Sequence, residues 1–368
     1  MLFLKVILSI ISFTLLGCNQ SKKSANKPNT SPGIAGIKDS VILNGLNYPW
    51  EILWGPDNHI WMTERGGKIS RVNPVTGDII PLITISETES NGEGGMLGLA
   101  LHPNFKTNPQ VFVAYNYNNG KYKEKIVRFT YDGSTLINPV TILDNIKASS
   151  IHNGCRLVIS PDLKLFITTG DASDQTLPQN SNSINGKVLR INLDGTIPGD
   201  NPLTGNPLWS IGHRNAQGLV IVNNKMYISE HGPDSDDEIN IIEKGRNYGW
   251  PAVKGFCDEK REQTFCSANN VKEPIMAWTP TIAACGLDYY ESNLIPEWKN
   301  SLLLVALKNA RLYQMKLDDS FSKITETNEY FSNDYGRMRD ICISPEGKVY
   351  ICTSNGGNDD KIIEIRKL

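Results

Sequence analysis

Apolar residues in this chain fall in short runs rich in β-branched and aromatic side chains, and the runs are paired across tight polar turns. Gly55-Pro56-Asp57-Asn58-His59 leads into Ile60-Trp61-Met62-Thr63, and Ser160-Pro161-Asp162-Leu163-Lys164 into Leu165-Phe166-Ile167-Thr168. Ser344-Pro345-Glu346-Gly347-Lys348 leads in the same way into Val349-Tyr350-Ile351-Cys352. Each reads as a strand, a turn of the Pro-Asp or Pro-Glu type, and a second strand. Weaker copies lie between them: His102 to Phe105 before Val111, Val222 to Lys225 before Met226, and Trp298 to Asn300 before Leu302. About six copies at spacings of roughly 40 to 80 residues are what four-stranded blades with loop insertions give. The pattern predicts an all-β chain, a six-bladed β-propeller with four-stranded antiparallel blades. A further strand follows several hairpins, at residues 67–72, 186–191, 310–315 and 361–365. No stretch beyond the N-terminal segment carries a long apolar face of period 3.6. A sandwich would not repeat one hairpin six times, and a barrel enzyme would need helices between its strands.

The N-terminus breaks the pattern. Met1 to Leu16 is dominated by Leu, Ile, Val and Phe, with a single Lys at position 5. That run is too short to span a bilayer as a stable helix. It ends in Leu15-Leu16-Gly17-Cys18, which looks like a bacterial lipobox and implies cleavage before Cys18 and lipidation of its thiol. An ordinary signal peptide with a chance Cys is the alternative. Residues 1–17 are thus expected to be a lipoprotein signal peptide and 18–36 a lipidated tether rich in Ser, Lys, Asn and Pro. The propeller should occupy 37–368. The reading is an exported protein, lipid-anchored to the cell envelope and touching the membrane through that anchor only. A formal charge of −2 argues against a nucleic-acid surface. Of seven Cys, one spent on lipid leaves six, an even number that suggests three disulfides in an oxidising compartment. Cys257 and Cys266 flank a short charged loop. Cys342 and Cys352 sit on the two arms of one hairpin and can face each other, subject to register.

Propellers place function on the loops that open onto the central channel. Stretches dense in polar residues and Gly adjoin several strands: residues 93–98, 152–157, 212–219, 230–240 and 336–340, with Lys308 as a sixth point. Taken singly each has a bland reading. His152, alone, is better read as a turn histidine. Arg337 and Arg339 have the period-two spacing that puts both side chains on one face of a strand, where two guanidiniums invite an anionic partner; solvent exposure at a blade edge is the alternative. Glu230 to Glu238 is acidic and broken by Gly and Pro, which suits oxygen ligation of Ca²⁺, or simply a solvated loop.

Together these stretches resemble the pyrroloquinoline-quinone-dependent aldose (glucose/sorbosone) dehydrogenases, from about Gly45 to the C-terminus. The resemblance rests on His-Asn-Gly-x-Arg-Leu at 152–157, Gly-His-Arg-Asn-x-Gln-Gly-Leu at 212–219 and Glu-His-Gly-Pro-x-x-Asp-Asp-Glu-Ile-Asn at 230–240. Asn-Tyr-Gly-Trp-Pro at 247–251 and Gly-Arg-Met-Arg-Asp at 336–340 complete it. It implies oxidation of aldose sugars by pyrroloquinoline quinone with Ca²⁺. His152 would be the general base, and Arg214 would polarise the quinone oxygen beside Asn215. The carbonyls of Gly232 and Pro233 would ligate the cofactor calcium, while Glu238 and the backbone of Tyr248 match a structural calcium site. Lys308, Arg337 and Arg339 would neutralise the cofactor's carboxylates.

The sequence departs from the family in places. Glu93 stands where some members have Gln, which places a negative charge near an anionic cofactor; either an Arg or Lys offsets it, or Glu93 sits further from the cofactor. Ile151 precedes the presumed base where the best-known members have Asp, so a carboxylate that would orient the imidazole is missing. Cys155 replaces the usual Gly and Cys285 a usual small polar residue, which suggests a bond between them. The resemblance names neither the sugar nor the electron acceptor, and leaves monomer or homodimer open. Two rivals stand beside it: a calcium-dependent lactonase, whose metal sits on side-chain carboxylates and amides, and a cell-surface propeller that binds a sugar or a protein without chemistry.

Overall fold

Every one of the six turns read from the sequence closes the first hairpin of a four-stranded antiparallel sheet, and six such sheets form the ring. The computed structural model describes residues 36–368; the expected signal peptide, Cys18 and nearly all of the tether lie outside the described residues. We number the blades along the chain. Their innermost strands are Pro49–Trp54, Met96–Leu101, Gly154–Ile159, Ala216–Val222, Ala284–Tyr290 and Met338–Ile343. Their second strands are Ile60–Glu64, Gln110–Asn118, Lys164–Thr169, Lys225–Glu230, Ser301–Ala306 and Val349–Thr353. Alternating β-branched and aromatic residues make these inner strands almost wholly buried, and the core lies between neighbouring blades. One cluster joins Trp50 of blade 1, Leu97 and Phe112 of blade 2, and Leu157, Leu165 and Ile167 of blade 3.

The outer strand of blade 6 is the first strand of the chain, Ile37–Leu46, which pairs antiparallel with Asp360–Lys367 from Ile37↔Lys367 to Leu46↔Asp360. The pattern reading did not anticipate this closure. It also passed over the helix Lys260–Asn269, which is mostly polar, with no apolar stripe, and capped by the reciprocal Glu259–Glu262 box. Among the described residues no helix is long and apolar enough to cross a membrane.

All six innermost strands are bulged at the same end, at Pro49/Glu51, Met96/Leu99, Gly154/Leu157, Ala216/Gly218, Ala284/Leu287 and Met338/Asp340. A bulge turns its extra residue out of the ladder, and here it aims side chains into the channel. Neighbouring strands then approach so closely that only Gly fits between them. A Cβ on Gly98 would lie 2.1 Å from Cys155 O, and one on Gly218 2.5 Å from Cys285 O.

One expected disulfide is present, between Cys257 and Cys266. The other two are not: Cys342, Cys352, Cys155 and Cys285 are buried free thiols. Register explains the first failure, because Cys342 faces Tyr350 while Cys352 faces Asp340, and both thiols pack in the core between blades 6 and 1. For the second, Cys155 lies against Glu124, whereas Cys285 contacts Gln217 and Arg339, each at 3.3 Å.

Candidate active site

In each blade the inner strand begins, and the second strand ends, on the same face of the ring, so those two segments supply the site. His152 precedes the inner strand of blade 3 in a backbone that curls through positive φ at His152 (61°), Gly154 (68°) and Cys155 (72°). Its Nδ1 lies 2.8 Å from Asp171 Oδ1, at the end of the same blade's second strand. Asp171 is 1 % exposed in its side chain and also accepts from Ser173 N at 2.8 Å and Trp250 Nε1 at 2.9 Å. An ionised carboxylate only accepts, so Nδ1 carries the proton and Nε2 the free lone pair. Ile151 points to solvent at 41 % exposure and plays no part. The orienting carboxylate is therefore present but comes from Asp171, which the sequence reading missed; its signal is Thr169-Gly170-Asp171 closing a second strand.

Arg214 and Asn215 lead into the inner strand of blade 4. Arg214 stacks over Trp250 at 5.3 Å, donates from Nη1 to His231 O at 3.2 Å, and gives its backbone N–H to Glu230 Oε1. The other Glu230 oxygen holds His213 Nδ1 at 2.9 Å, and His213 Nε2 meets Ser210 Oγ at 2.8 Å. This Ser-His-Glu row has the order of a hydrolase triad, yet Ser210 is buried and the row serves to fix Arg214. Asn215 Oδ1 accepts from Gly154 N at 3.1 Å, tying the Arg214 segment to the His152 loop, while its Nδ2 has no partner.

Glu93, Arg337 and Arg339 line one cleft of about 320 Å³ together with Tyr48, Arg65 and Asn355. Arg65 lines the same cleft, seated 4.2 Å over the Tyr48 ring, and meets Glu93 only through space, Glu93 Oε2 having no hydrogen-bond partner. Burial holds the Arg65 and Arg337 guanidiniums below their ordinary values, and Arg339 adds to both. Arg214 is lowered by burial as well. Arg339 is the bulged residue of its strand, so the period-two argument does not apply, yet both arginines reach the cleft. Lys308 does not line it: it is exposed beyond the second strand of blade 5, with Nζ 3.0 Å from Thr281 Oγ1. His231 is a further residue the reading left without a role. Burial pushes its imidazole down to about 4, with Glu93 opposing and Arg339, Arg214 and His152 adding to the fall. These residues therefore converge.

Beneath them the bulged residues close the channel. Arg156 Nη1 lies 2.7 Å from Glu51 and 2.8 Å from Asp340, its Nε donates to Gln217 O at 2.9 Å, and its guanidinium covers Trp50 at 4.4 Å. Arg339 rests on this floor through Gln217 Oε1 at 2.6 Å.

Gly232, Pro233, Glu238 and Tyr248, expected in two calcium sites, line one small cavity with Glu230 and Asp236. Glu238 accepts from Gly255 N and Asn240 Nδ2, both at 2.7 Å. Burial pushes its carboxyl up to about 8, with Glu230 adding to the rise. Among the described residues no three His, Cys, Asp or Glu side chains converge as a metal cage.

Residues 46–364 match the Glucose / Sorbosone dehydrogenase family. Quinoprotein glucose dehydrogenase B of Acinetobacter calcoaceticus is 34 % identical over 412 residues, covering 87 % of this chain and 86 % of that protein. Among solved structures, the PQQ-bound form of aldose sugar dehydrogenase from Streptomyces coelicolor superposes with a TM-score of 0.78 at 30 % identity, covering 92 % of this chain and 99 % of that one. The apo form of the soluble aldose sugar dehydrogenase from Escherichia coli gives 0.82 at 28 % identity, covering 90 % and 100 %.

Proposed function

The chain belongs to the glucose/sorbosone dehydrogenase family, and from that premise we propose that it oxidises the anomeric hydroxyl of aldose sugars to lactones, with pyrroloquinoline quinone as hydride acceptor and Ca²⁺ beside it. The observation that carries this reading is a set of buried nitrogens without partners, Arg65 Nε and Arg339 Nε at the cleft, Arg214 Nε and His231 Nε2 at the neighbouring cavity and Asn215 Nδ2 beside Arg214, against one unpartnered acceptor, Glu93 Oε2. Unpaired buried donors are costly, so the site suits a ligand rich in acceptors and negative charge. A quinone bearing carboxylates fits that demand. Arg337 and Arg339 would hold the carboxylates, and Arg214 and Asn215 the quinone edge. Arg65, Arg214 and Arg337 offset the Glu93 charge through space.

Bound there, the quinone supplies a two-electron acceptor that no side chain can provide. The protein's own part is proton transfer and placement. Asp171 fixes the imidazole tautomer, so His152 Nε2 is free to take the hydroxyl proton as hydride leaves the same carbon. Arg214 places a fixed positive charge where negative charge grows. The carbonyls of Gly232 and Pro233 would ligate the cofactor cation, with Glu238 and Tyr248 lining the same cavity. The arginines gathered at the cleft, which suit a polyanionic cofactor, favour this reading over the lactonase. A propeller devoted to binding would be expected to lose its base and arginines first, and they are present.

The decisive experiment is dye-linked aldose oxidation by purified protein with and without added quinone and Ca²⁺. No quinone-dependent turnover and no bound-cofactor absorbance would sink the proposal. The lipobox at Cys18 supports a lipid-anchored envelope location, and Cys18→Ser should release the protein from the detergent phase; unchanged partitioning would remove the anchor.

A further inference from the structure

Between blades 2 and 3 lies a carboxyl that the reaction above does not use. Glu124, on the third strand of blade 2 (Tyr122–Tyr131), is 1 % exposed. Its Oε1 has no hydrogen-bond partner, and its Oε2 accepts from Asn116 Nδ2 at 3.3 Å. Its other neighbour is the thiol of Cys155, which is fully buried. Among the described residues no Lys, Arg or His acts on it.

Each neighbour belongs to one loop of the site. Asn116, directly opposite Glu124 in the ladder, grips the stretch that presents Glu93 at both ends. It accepts from Gly95 N at its Oδ1, donates its own N–H to Gly95 O, and accepts from Glu89 N at its carbonyl, each at 2.9 Å. Cys155 stands three residues after His152, at a φ of 72° that ordinarily favours glycine. A side chain is tolerated in that left-handed turn because it is packed into the blade interface against Glu124.

We propose that Glu124 is a positioning residue held as a neutral acid, whose carboxyl ties the loop presenting Glu93 to the loop presenting His152. A carboxylate in this place would have one oxygen unfilled, no cation, and a thiol and an amide for company, which is costly in a dry interface. Burial accordingly pushes the carboxyl up to about 8. The titratable groups that face it are the Tyr122 phenol on its own strand, pushed up to about 12 chiefly by burial, and the Cys155 thiol of blade 3, raised well above its usual value by burial and then by Glu124. From the second strand of blade 2 comes only the uncharged Asn116. None of these can offset the charge that appears when Glu124 ionises.

The link to turnover rests on the dehydrogenase reading, so the test has one arm that needs no cofactor. In that arm the backbone amide resonances of Gly95 and Cys155 are followed by NMR through an alkaline titration. They should move together with a midpoint near pH 8, and Glu124→Gln, which mimics the neutral acid, should abolish the shift. In the second arm, quinone-loaded protein should lose about tenfold in kcat between pH 6.5 and 9, as ionisation at that midpoint requires, while Glu124→Gln loses less than about twofold. Glu124→Gln should match wild type at pH 6.5, whereas Glu124→Ala should be impaired throughout. The proposal is overturned if the two amides do not titrate together, if they titrate unchanged in Glu124→Gln, or if that variant loses tenfold or more at pH 6.5. Absence of sugar oxidation with the NMR behaviour intact would strike the dehydrogenase reading and leave the neutral acid standing.

Discussion

Replacing Asp171 by Asn removes one charge and keeps the shape, so it isolates what the carboxylate does for His152. Asp171 Oδ1 accepts from both His152 Nδ1 and Ser173 N at 2.8 Å, and Oδ2 accepts from Trp250 Nε1 at 2.9 Å. Asn has one acceptor and one donor end, and neither orientation suits. With its NH₂ at the Oδ2 position, it meets the indole N–H head-on. With its NH₂ at Oδ1, it opposes Ser173 N–H and drives His152 into the tautomer whose Nε2 carries the proton and cannot act as a base. The loss has two parts. A charge-assisted hydrogen bond to the developing imidazolium contributes about 1.5–3 kcal/mol, or roughly 10- to 150-fold in rate. The tautomer penalty adds to it, so kcat should fall by about 100-fold or more. Quinone affinity should fall less than kcat, because Asp171 touches Arg214 only through its backbone N–H and the Trp250 indole and stands away from Arg337 and Arg339. Steady-state dye reduction gives kcat and KM, and cofactor absorbance on titration gives the binding. A variant that keeps kcat within threefold of wild type would refute the assignment of Asp171 as the orienting group.

Three other expectations follow from the site. His152→Ala should bind the cofactor normally and lose about 100-fold or more in turnover; weakened binding would move His152 into the cofactor's contacts. Arg337→Ala and Arg339→Met should weaken cofactor binding. Arg339→Met should also lower thermal stability, because that guanidinium is buried on Gln217 and Cys285, whereas Arg337, exposed along its side chain with only its guanidinium partly covered, should leave stability nearly unchanged. Mass mapping of a non-reduced digest should find Cys257 joined to Cys266 and label four free thiols after unfolding; a bridge between Cys342 and Cys352 would overturn the register described here.

The hairpins were legible because Pro-Asp and Pro-Glu turns between paired apolar runs are local signals. The closing strand was not, because Ile37–Leu46 is half exposed and its partner lies at the far end of the chain. The helix Lys260–Asn269 has one buried residue, Glu262, and so no apolar stripe to read. In the site, the reading followed dense motifs: Asp171 and Arg65 lay outside them, and His231 lay inside one without a role assigned. Asp171 and Arg65 stand just past second strands, so only the antiparallel order of a blade brings them beside His152 and Glu93. Cys155 and Cys285 looked like partners by sequence because each replaces a small residue near one site. Their bulged strands belong to different blades, and each thiol is occupied elsewhere.

The seam that closes the ring also decides which way the molecule faces. Inner strands start on the face that bears the cleft, third strands run away from it, and Ile37 pairs with Lys367 at the far end of the last third strand. The chain therefore enters the propeller on its underside, and only at Leu46 does it reach the level of the active site. If Cys18 holds lipid, the tether joins the body on that underside and leaves the mouth of the cleft clear. Diffusing sugars and a mobile electron carrier would then reach the cleft without passing the point where the tether attaches.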